Sequence, residues 1–368
     1  MTTHIITVVF ILSFGIQLAW LSVYLRMLLR RRKCAENENL PPLSVIICAR
    51  NEAENLQKFL PSVLNQKYPD FEVVVINDNS EDNTKEVLSE FKKRYNNLTV
   101  LEAEKNSSGA GNKKKALTKA ISEAKNEILV FTDADCYPVS TEWLKKIASS
   151  YSFDTEIIIA YSGYEKHKGF LNRIIRYETL FTAVQYLSFA DFGFPYMAVG
   201  RNLSYKKSVF LQNKGFESHK NILSGDDDLF INQAANKKNT KIICDFESKT
   251  ISLPKKTVKE YCLQKRRHFS AGFQYRNRNK LIIWTELMSR FFFYLFLLVL
   301  LVKGQAVELA LVLFLIRMTI SVFTVKLFAL KIKEPNNLFF IPIFDILIPV
   351  IHLIILSGTV FYKRIVWK

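Results

Sequence analysis

Four long apolar segments set the main constraint on how this chain can fold. One lies near the N-terminus and three lie near the C-terminus, at residues 5–29, 281–302, 306–330 and 338–362. Each is long enough to cross the hydrocarbon core of a bilayer as a helix. The sequence between the first and second segments is polar. We therefore predict an integral membrane protein whose polar domain is held between membrane helices.

This pattern divides the chain into three parts: an N-terminal membrane helix with a basic flank (1–33), a polar domain (41–280), and a C-terminal membrane region of two to three segments (281–368). The alternative for the first segment is a cleaved signal peptide. Only His4 precedes that segment as a source of positive charge, and no small-residue cleavage site follows it. The membrane helix is therefore the better interpretation.

Basic residues indicate the orientation in the membrane. Residues 30–33 (RRRK) follow the first span directly, and such clusters mark the cytoplasmic side. The polar domain is thus predicted to be cytoplasmic. Three C-terminal crossings would place the tail outside, yet the tail carries Lys363, Arg364 and Lys368. One C-terminal segment is therefore expected to be re-entrant or interfacial. The candidate is 338–362, where Asp345 and His352 lie two helical turns apart and so on one side.

The formal net charge of +17 fits two kinds of partner. Basic residues beside the spans attract anionic membrane lipids, whereas a basic cleft attracts a polyanion such as a nucleotide diphosphate. No nucleic-acid-binding motif accompanies the charge, so nucleic acid is not expected as a partner. The five cysteines give neither a disulfide framework nor a zinc-site spacing.

In the first half of the polar domain, short buried strand patterns alternate with helical patterns. This alternation predicts an α/β fold with a doubly wound sheet. The expected strands are 43–48, 71–76, 98–102 and 127–132, and the expected helices are 52–64, 80–95 and 113–124. Sheets of this kind bind ligands at the carboxyl ends of their strands.

Polar residues stand at several of those strand ends. Asn51 and Glu52 follow the first strand, and Asp78 follows the second. Each turn alone reads more simply as a helix cap. Two such turns after adjacent strands favour a nucleotide site. The fourth strand ends in Asp133 and Asp135, and two carboxylates at this spacing can hold Mg²⁺ or Mn²⁺, which prefer oxygen ligands. A solvated turn is the simpler alternative for the pair.

Three further clusters carry charge. Lys113, Lys114 and Lys115 open a predicted helix, where a lysine can bind phosphate, although at least two of the three are expected on a solvated face. Residues 226–228 are three aspartates at another helix start, which suits the helix dipole and also a general base. Residues 264–268 (QKRRH) form either a membrane flank or a diphosphate site.

Taken in order, these motifs resemble the family 2 glycosyltransferases with a GT-A fold, over residues 41–272. The resemblance rests on PPLSVIICARNEAENL, VVVINDNSEDNT, NKKKAL, FTDADC, AVGRNLSYKKSVFLQNKGF, GDDDLFI and QKRRH. It is closest in kind to membrane-integrated synthases of bacterial polysaccharides and glycolipids. It therefore implies a bacterial inner membrane, with the catalytic domain in the cytoplasm.

The resemblance also implies residue roles. Donor binding falls to Asn51, Glu52, Asp78, Lys113, Asp133, Gln264, Arg267 and His268. Asp135, assisted by Asp133, would hold the divalent metal. Arg201 and Asn202 would lie on the acceptor side. Asp228 would be the catalytic base by the apolar spacing after it, with Asp227 as a close second.

The implied reaction is a single inverting displacement from a nucleotide sugar, a UDP-sugar by expectation, to a lipid or glycan acceptor. His268 stands where polymerising relatives carry tryptophan, so transfer of one or a few sugars is expected. The alternatives are a processive synthase of the same family and an inactive scaffold that only binds a sugar nucleotide. The retained acids and basic cluster argue against the scaffold.

Overall fold

The computed structural model describes residues 2–30, 40–104, 113–222, 224–334 and 338–361. Within these ranges the strands are β1 Leu43–Ala49, β2 Phe71–Asn77, β3 Leu98–Glu102, β4 Ile128–Phe131, β5 Cys136–Pro138, β6 Ile157–Ala160, β7 Ser162–Tyr164, β8 Leu203–Lys206, β9 Thr240–Ile243 and β10 Thr250–Ser252. The helices are α1 Thr2–Leu29, α2 Ala53–Leu64, α3 Thr84–Arg94, α4 Lys113–Glu123, α5 Trp143–Ser149, α6 Phe170–Phe192, α7 Lys207–Gln212, α8 Asp228–Ala234, α9 Val258–Gly272, α10 Asn277–Val302, α11 Val307–Lys331 and α12 Ile341–Phe361.

A seven-stranded sheet forms the centre of the polar domain, in the order β3-β2-β1-β4-β8-β6-β9. The pairings among β3, β2, β1 and β4 are parallel, as the alternating pattern predicts. The α/β fold class is confirmed. Strand β8 runs antiparallel to both β4 and β6, so the sheet is mixed. A second sheet, β5-β10-β7, lies beside the end of β4.

The central strands β1, β2 and β4 form because most of their residues are apolar and buried on both faces. All seven residues of β2 except Phe71 are buried, and β4 is buried throughout. Such continuous apolar runs are typical of parallel strands covered by helices. Helices α2, α3 and α5 cover one face, while α4, α6 and α8 cover the other, and α1 packs against α6. The sheet thus holds the carboxyl ends of β1, β2 and β4 at fixed positions.

Helix α3 starts four residues later than the pattern predicts. The Asp82 carboxylate accepts hydrogen bonds from Thr84 N (3.1 Å) and Thr84 Oγ1 (2.6 Å). Its other oxygen accepts from Ala53 N (3.1 Å). Asp82 therefore holds the preceding residues as a loop against the start of α2. Side-chain bonds of this kind compete with helix formation.

Within the described ranges, four helices are long and apolar enough to cross a membrane: α1 from His4, α10, α11, and α12 as far as Gly358. Helix α1 packs against α10, α11 and α6, so it joins the C-terminal helices and the polar domain. The last span begins as a short 3-10 turn over Leu338–Phe340 before α12. Residues 31–33 and the basic tail lie outside the described residues, so the orientation stays a prediction.

Candidate functional site

A cavity of about 710 Å³ opens at the carboxyl ends of β1, β2 and β4. Its polar end is lined by the loops that follow these strands and by residues 226–228. Helix α9 forms one wall, and side chains of α6, α10 and α12 form the opposite end. We call this space the central cavity. Its volume lies within the usual range for ligand sites, about 300–1,000 Å³.

At the polar end of the cavity, the loop after β1 and the loop after β2 are hydrogen-bonded to each other. Asn51 N donates to Ser80 Oγ (2.9 Å), and Glu81 N donates to Asn51 Oδ1 (2.8 Å). Both Asn51 and Asn79 have left-handed backbone angles, with φ of 55°. Asparagine tolerates this region better than most residues. The side chain of Asn51 thus helps to shape the loop, while Asp78 lies buried beside it and lines the central cavity.

Asp133 and Asp135 lie in the turn between β4 and β5, and ligand atoms of both and of Cys136 lie within 4.8 Å of one another. Burial raises the pKa of Asp135, and the Asp133 charge raises it further. A cation would relieve this repulsion. Burial and the Asp135 charge hold the pKa of the Cys136 thiol well above its usual value, so the thiol stays protonated. The donor set therefore consists of two carboxylates, which fits Mg²⁺ or Mn²⁺.

Glu52 also belongs to this acidic end. Burial raises its pKa to about 7, against a hydrogen bond from Asn55, and the charges of Asp135 and Asp133 add to the rise. Three carboxyl groups therefore converge where a ligand could enter. Glu52 and Asp135 have raised pKa values, and acids perturbed in this way in a cleft are typical of functional sites.

Lys113 stands between two groups of acids. Its Nζ lies 3.2 Å from Asp133 Oδ1 and 2.9 Å from Asp226 Oδ2. Burial alone would lower its pKa, but Asp133, Asp226 and Asp227 together raise it well above the usual value. Lys114 is buried and donates to the carbonyls of His219 (2.7 Å) and Ile222 (2.8 Å). The expectation that at least two of the three lysines lie on a solvated face is thus wrong, because Lys113 binds two acids in the cavity and Lys114 is buried.

The three aspartates before α8 have different surroundings. Asp227 is the N-cap, and its Oδ1 accepts from Asp228 N (2.8 Å) while Oδ2 accepts from Gly200 N (2.6 Å). A Cβ at position 200 would lie 3.1 Å from that oxygen, so a glycine permits the close approach. Burial, reinforced by Asp226, raises the pKa of Asp227 to about 6. Asp228 is 8% exposed, and burial together with Asp227 raises its pKa well above the usual value.

Asp228 faces a cluster of aromatic residues. Its Oδ2 accepts a hydrogen bond from Tyr275 Oη (3.0 Å), and Tyr275 packs edge-on against Tyr196 at 5.9 Å between ring centres. All three residues line the central cavity. Asp227 is only half-buried, so it is the more accessible of the two candidate bases.

Arg201 and Asn202, adjacent in sequence, lie in different surroundings. The guanidinium of Arg201 lies 4.3 Å from the centre of the Tyr164 ring, in the wall of the central cavity. Asn202 is completely buried. Its Nδ2 donates to the carbonyls of Tyr161 (2.6 Å) and Ser248 (2.7 Å), and its Oδ1 accepts from Trp143 Nε1 (3.1 Å). We therefore correct the assignment of Asn202 to the acceptor side: its side chain joins α5 to the backbone at Tyr161 and Ser248 and does not line the central cavity.

Helix α9 brings Gln264, Arg267 and His268 to the central cavity, as expected for one site. Gln264 Nε2 donates to the Tyr164 hydroxyl (3.2 Å), so Gln264 and Arg201 share a partner. The Arg267 carbonyl accepts from Ser224 Oγ (3.1 Å), which ties α9 to the loop of the three aspartates. A capping box between Thr257 and Glu260 fixes the start of the helix.

The sequence patterns missed a buried carboxylate, Glu178 of α6. It lies 2.7 Å from Lys265 Nζ and 2.8 Å from His352 Nε2, and it accepts from the Tyr261 hydroxyl (2.8 Å). Glu178 thereby connects α9 to α12. The sequence gives little signal for it, because α6 also carries Arg173, Arg176 and Asp191. Asp345 does not share this site with His352, because it accepts hydrogen bonds from Arg317 and Tyr294.

Comparisons with known proteins agree with this geometry. Residues 44–211 match the model of glycosyl transferase family 2. The chain therefore carries a family 2 glycosyltransferase domain. This domain contains the loops after β1 and β2 together with Lys113, Asp133, Asp135 and Arg201. The aspartates 226–228 and helix α9 follow it in the sequence.

Two curated relatives match part of the family 2 glycosyltransferase domain. Glycosyltransferase AglE of Haloferax volcanii is 41% identical over 116 residues, which are 31% of this chain and 36% of that protein. A poly-beta-1,6-N-acetyl-D-glucosamine synthase of Staphylococcus epidermidis is 36% identical over 101 residues, 27% of this chain and 23% of the synthase. The chain thus spans about a quarter to a third of the length of these relatives.

A solved structure extends the fold similarity beyond the domain. The mannosyltransferase PcManGT from Pyrobaculum calidifontis, solved in complex with GDP-Man and Mn²⁺, superposes with a TM-score of 0.59. The match covers 92% of this chain and all of that chain, at 18% identity. It confirms a GT-A fold.

Proposed function

We propose that this chain is an inverting glycosyltransferase that uses a nucleotide sugar, a UDP-sugar by preference, at the cytoplasmic face of a bacterial inner membrane. The observation that carries the proposal is the shared cavity. The central cavity is lined by the hydrogen-bonded loops after β1 and β2, by the carboxylate pair Asp133 and Asp135, and by the accessible acid Asp227. The division of the chain at residues 33, 41 and 280 is part of the same proposal.

The polar end accommodates the donor. Asp78 and the loop of Asn51 and Glu52 lie where a nucleoside can bind, because they follow adjacent parallel strands. Asp135 and Asp133 would hold Mg²⁺ or Mn²⁺, which supplies charge neutralisation to a diphosphate when bound. Lys113 keeps Asp226 as a partner when Asp133 binds a cation, so it retains its charge near the diphosphate. Arg201, Arg267, Gln264 and His268 line the space beyond and would complete the donor site.

Asp227 is the base we propose, in preference to Asp228. It is more accessible, and two backbone N–H groups orient its carboxylate. A pKa of about 6 leaves it ionised at neutral pH while keeping it a stronger base than an ordinary aspartate. Asp228 is held largely protonated and would position Tyr275. In the reaction the acceptor oxygen bonds to the anomeric carbon, the bond from that carbon to the diphosphate breaks with its electron pair, and Asp227 receives the proton.

The test is turnover by the purified full chain with a panel of nucleotide sugars, Mn²⁺ and membrane lipid. We expect one donor to release its nucleoside diphosphate. Asp135→Asn should lower that turnover at least about 100-fold, because diphosphate charge would be poorly neutralised. Asp154→Asn, an exposed aspartate outside the central cavity, is the matched control and should behave as wild type. No turnover of any donor, or equal turnover by Asp135→Asn, would refute the proposal.

A further inference from the structure

The central cavity does not end at the donor site. Its far end is lined by apolar side chains of the two membrane-length helices α10 and α12: Ile283, Trp284, Leu287, Ile348, Pro349 and Leu356. Trp284 is 39% exposed, so this end opens on the flank of α10. A molecule bound here would touch the catalytic acids at one end and the hydrocarbon of the bilayer at the other. That geometry suits an amphiphile rather than a soluble glycan.

Two cations near the apolar end are already paired with carboxylates. Lys265 pairs with Glu178, and Arg290 pairs with Glu286. Glu286 also accepts from Gln185 Nε2 (3.1 Å). Buried cations that already hold a carboxylate at contact distance are poor receptors for a second anion. Lys280, which also lines the central cavity, donates to the carbonyl of Phe273 (3.4 Å).

The reacting end is also unsuited to an anionic headgroup. Asp227, the proposed base, is ionised at neutral pH and faces the cavity, and like charges at short range disfavour a phosphate oxygen beside it. A phosphate oxygen is already ionised at neutral pH, so it needs no base to attack carbon. A hydroxyl does need one, because its proton must leave as the new bond forms. As a base, Asp227 would therefore serve a hydroxyl acceptor and not a phosphate.

We propose that the acceptor is an uncharged membrane lipid with a free hydroxyl at its headgroup, bound with its apolar part between α10 and α12. This inference rests on the proposed function and narrows it. The hydroxyl oxygen forms the bond to the anomeric carbon. Its proton passes to Asp227, and the nucleoside diphosphate leaves with the electron pair of the broken bond.

The experiment uses the full chain reconstituted in lipid vesicles, with the donor that the panel identifies. Dioleoylglycerol is offered as the hydroxyl lipid and a polyprenyl phosphate as the phosphate lipid, each in separate vesicles. We expect labelled sugar on dioleoylglycerol and none on the polyprenyl phosphate. Transfer to the phosphate lipid, or donor turnover with no lipid product, overturns the inference but leaves the glycosyltransferase proposal standing. No turnover of any donor is a failure of the proposed function itself.

A pair of variants tests the location. Leu287→Trp fills the apolar end and should lower transfer to dioleoylglycerol at least about ten-fold, since a small misplacement of an acceptor costs much of the rate. Leu298→Trp, on the same helix, 60% exposed and outside the central cavity, should stay within about two-fold of wild type. Equal transfer by the two variants would contradict the site. The comparison of the two lipids with wild-type protein stands even if Leu287→Trp fails to fold.

Discussion

Replacing Asp227 by asparagine tests whether its carboxylate is the catalytic base. Asparagine has nearly the same shape but cannot take a proton, and general-base catalysis contributes about 10²–10⁴-fold to a rate. That range corresponds to about 3–5 kcal/mol of transition-state stabilisation. The carboxamide has one acceptor oxygen where the carboxylate has two, so the bond from Gly200 N or from Asp228 N is lost. Losing one such bond costs about 1–3 kcal/mol of stability.

The assay is steady-state kinetics across pH with the purified chain. Asp227 acts as a base only when ionised, and its pKa is about 6. Wild-type kcat/KM should therefore fall about ten-fold for each pH unit below 6, because the ionised fraction falls in that proportion. The Asp227→Asn variant should lose about 10²–10⁴-fold in kcat at neutral pH and should lack the acidic limb set by that group.

Asp228→Asn is the matched control, since the two residues are adjacent and share the start of α8. Burial and Asp227 hold the pKa of Asp228 high, so asparagine resembles the protonated acid already present. We expect a loss below about ten-fold. If Asp228→Asn is the more damaging change, or if Asp227→Asn keeps its activity, then the assignment of the base to Asp227 is wrong.

Three further outcomes are expected. Glu178→Gln leaves Lys265 without its buried counter-charge and should lower the free energy of unfolding by about 3 kcal/mol. Thermal unfolding measures this against the exposed control Glu90→Gln, and an unchanged midpoint would contradict the role of Glu178. With acceptor limiting, mass spectrometry should show acceptor plus one or a few sugars, because His268 offers a smaller stacking face than tryptophan; a long ladder with unused acceptor would mean processive synthesis. A cysteine placed within residues 36–39 should react only when the reagent reaches the cytoplasm, and labelling from outside intact cells would overturn the orientation.

The strands and the membrane helices could be predicted from the sequence because each has a strong local signal. Strand β3 has the predicted bounds, and β1, β2 and β4 differ from theirs by one or two residues. Short continuous apolar runs between helical patterns are most simply explained as buried strands. The antiparallel strand β8 could not be recognised in this way. It has four residues, and its place between β4 and β6 depends on pairings distant in sequence.

The same distinction between local signals and distant contacts applies to the residues of the candidate site. Asp133, Asp135, Asp78 and Lys113 follow strands or open a helix, so local position alone brings them to one edge of the sheet. Asn202 is polar and adjacent to Arg201, yet its side chain bonds to backbone groups within the core. Glu178 and Lys114 likewise owe their burial to partners far away in sequence. Such residues are recognised only when three-dimensional contacts are known.

The donor site itself can be tested most directly by manganese anomalous scattering from crystals grown with Mn²⁺ and the preferred nucleotide sugar. We expect an anomalous peak about 2.1 Å from a carboxylate oxygen of Asp135, in contact with the diphosphate, with the nucleoside beside Asp78. The anomeric carbon should face Asp227. Manganese and nucleotide bound elsewhere, with Asp133 and Asp135 free of metal, would contradict the proposed mechanism at its centre.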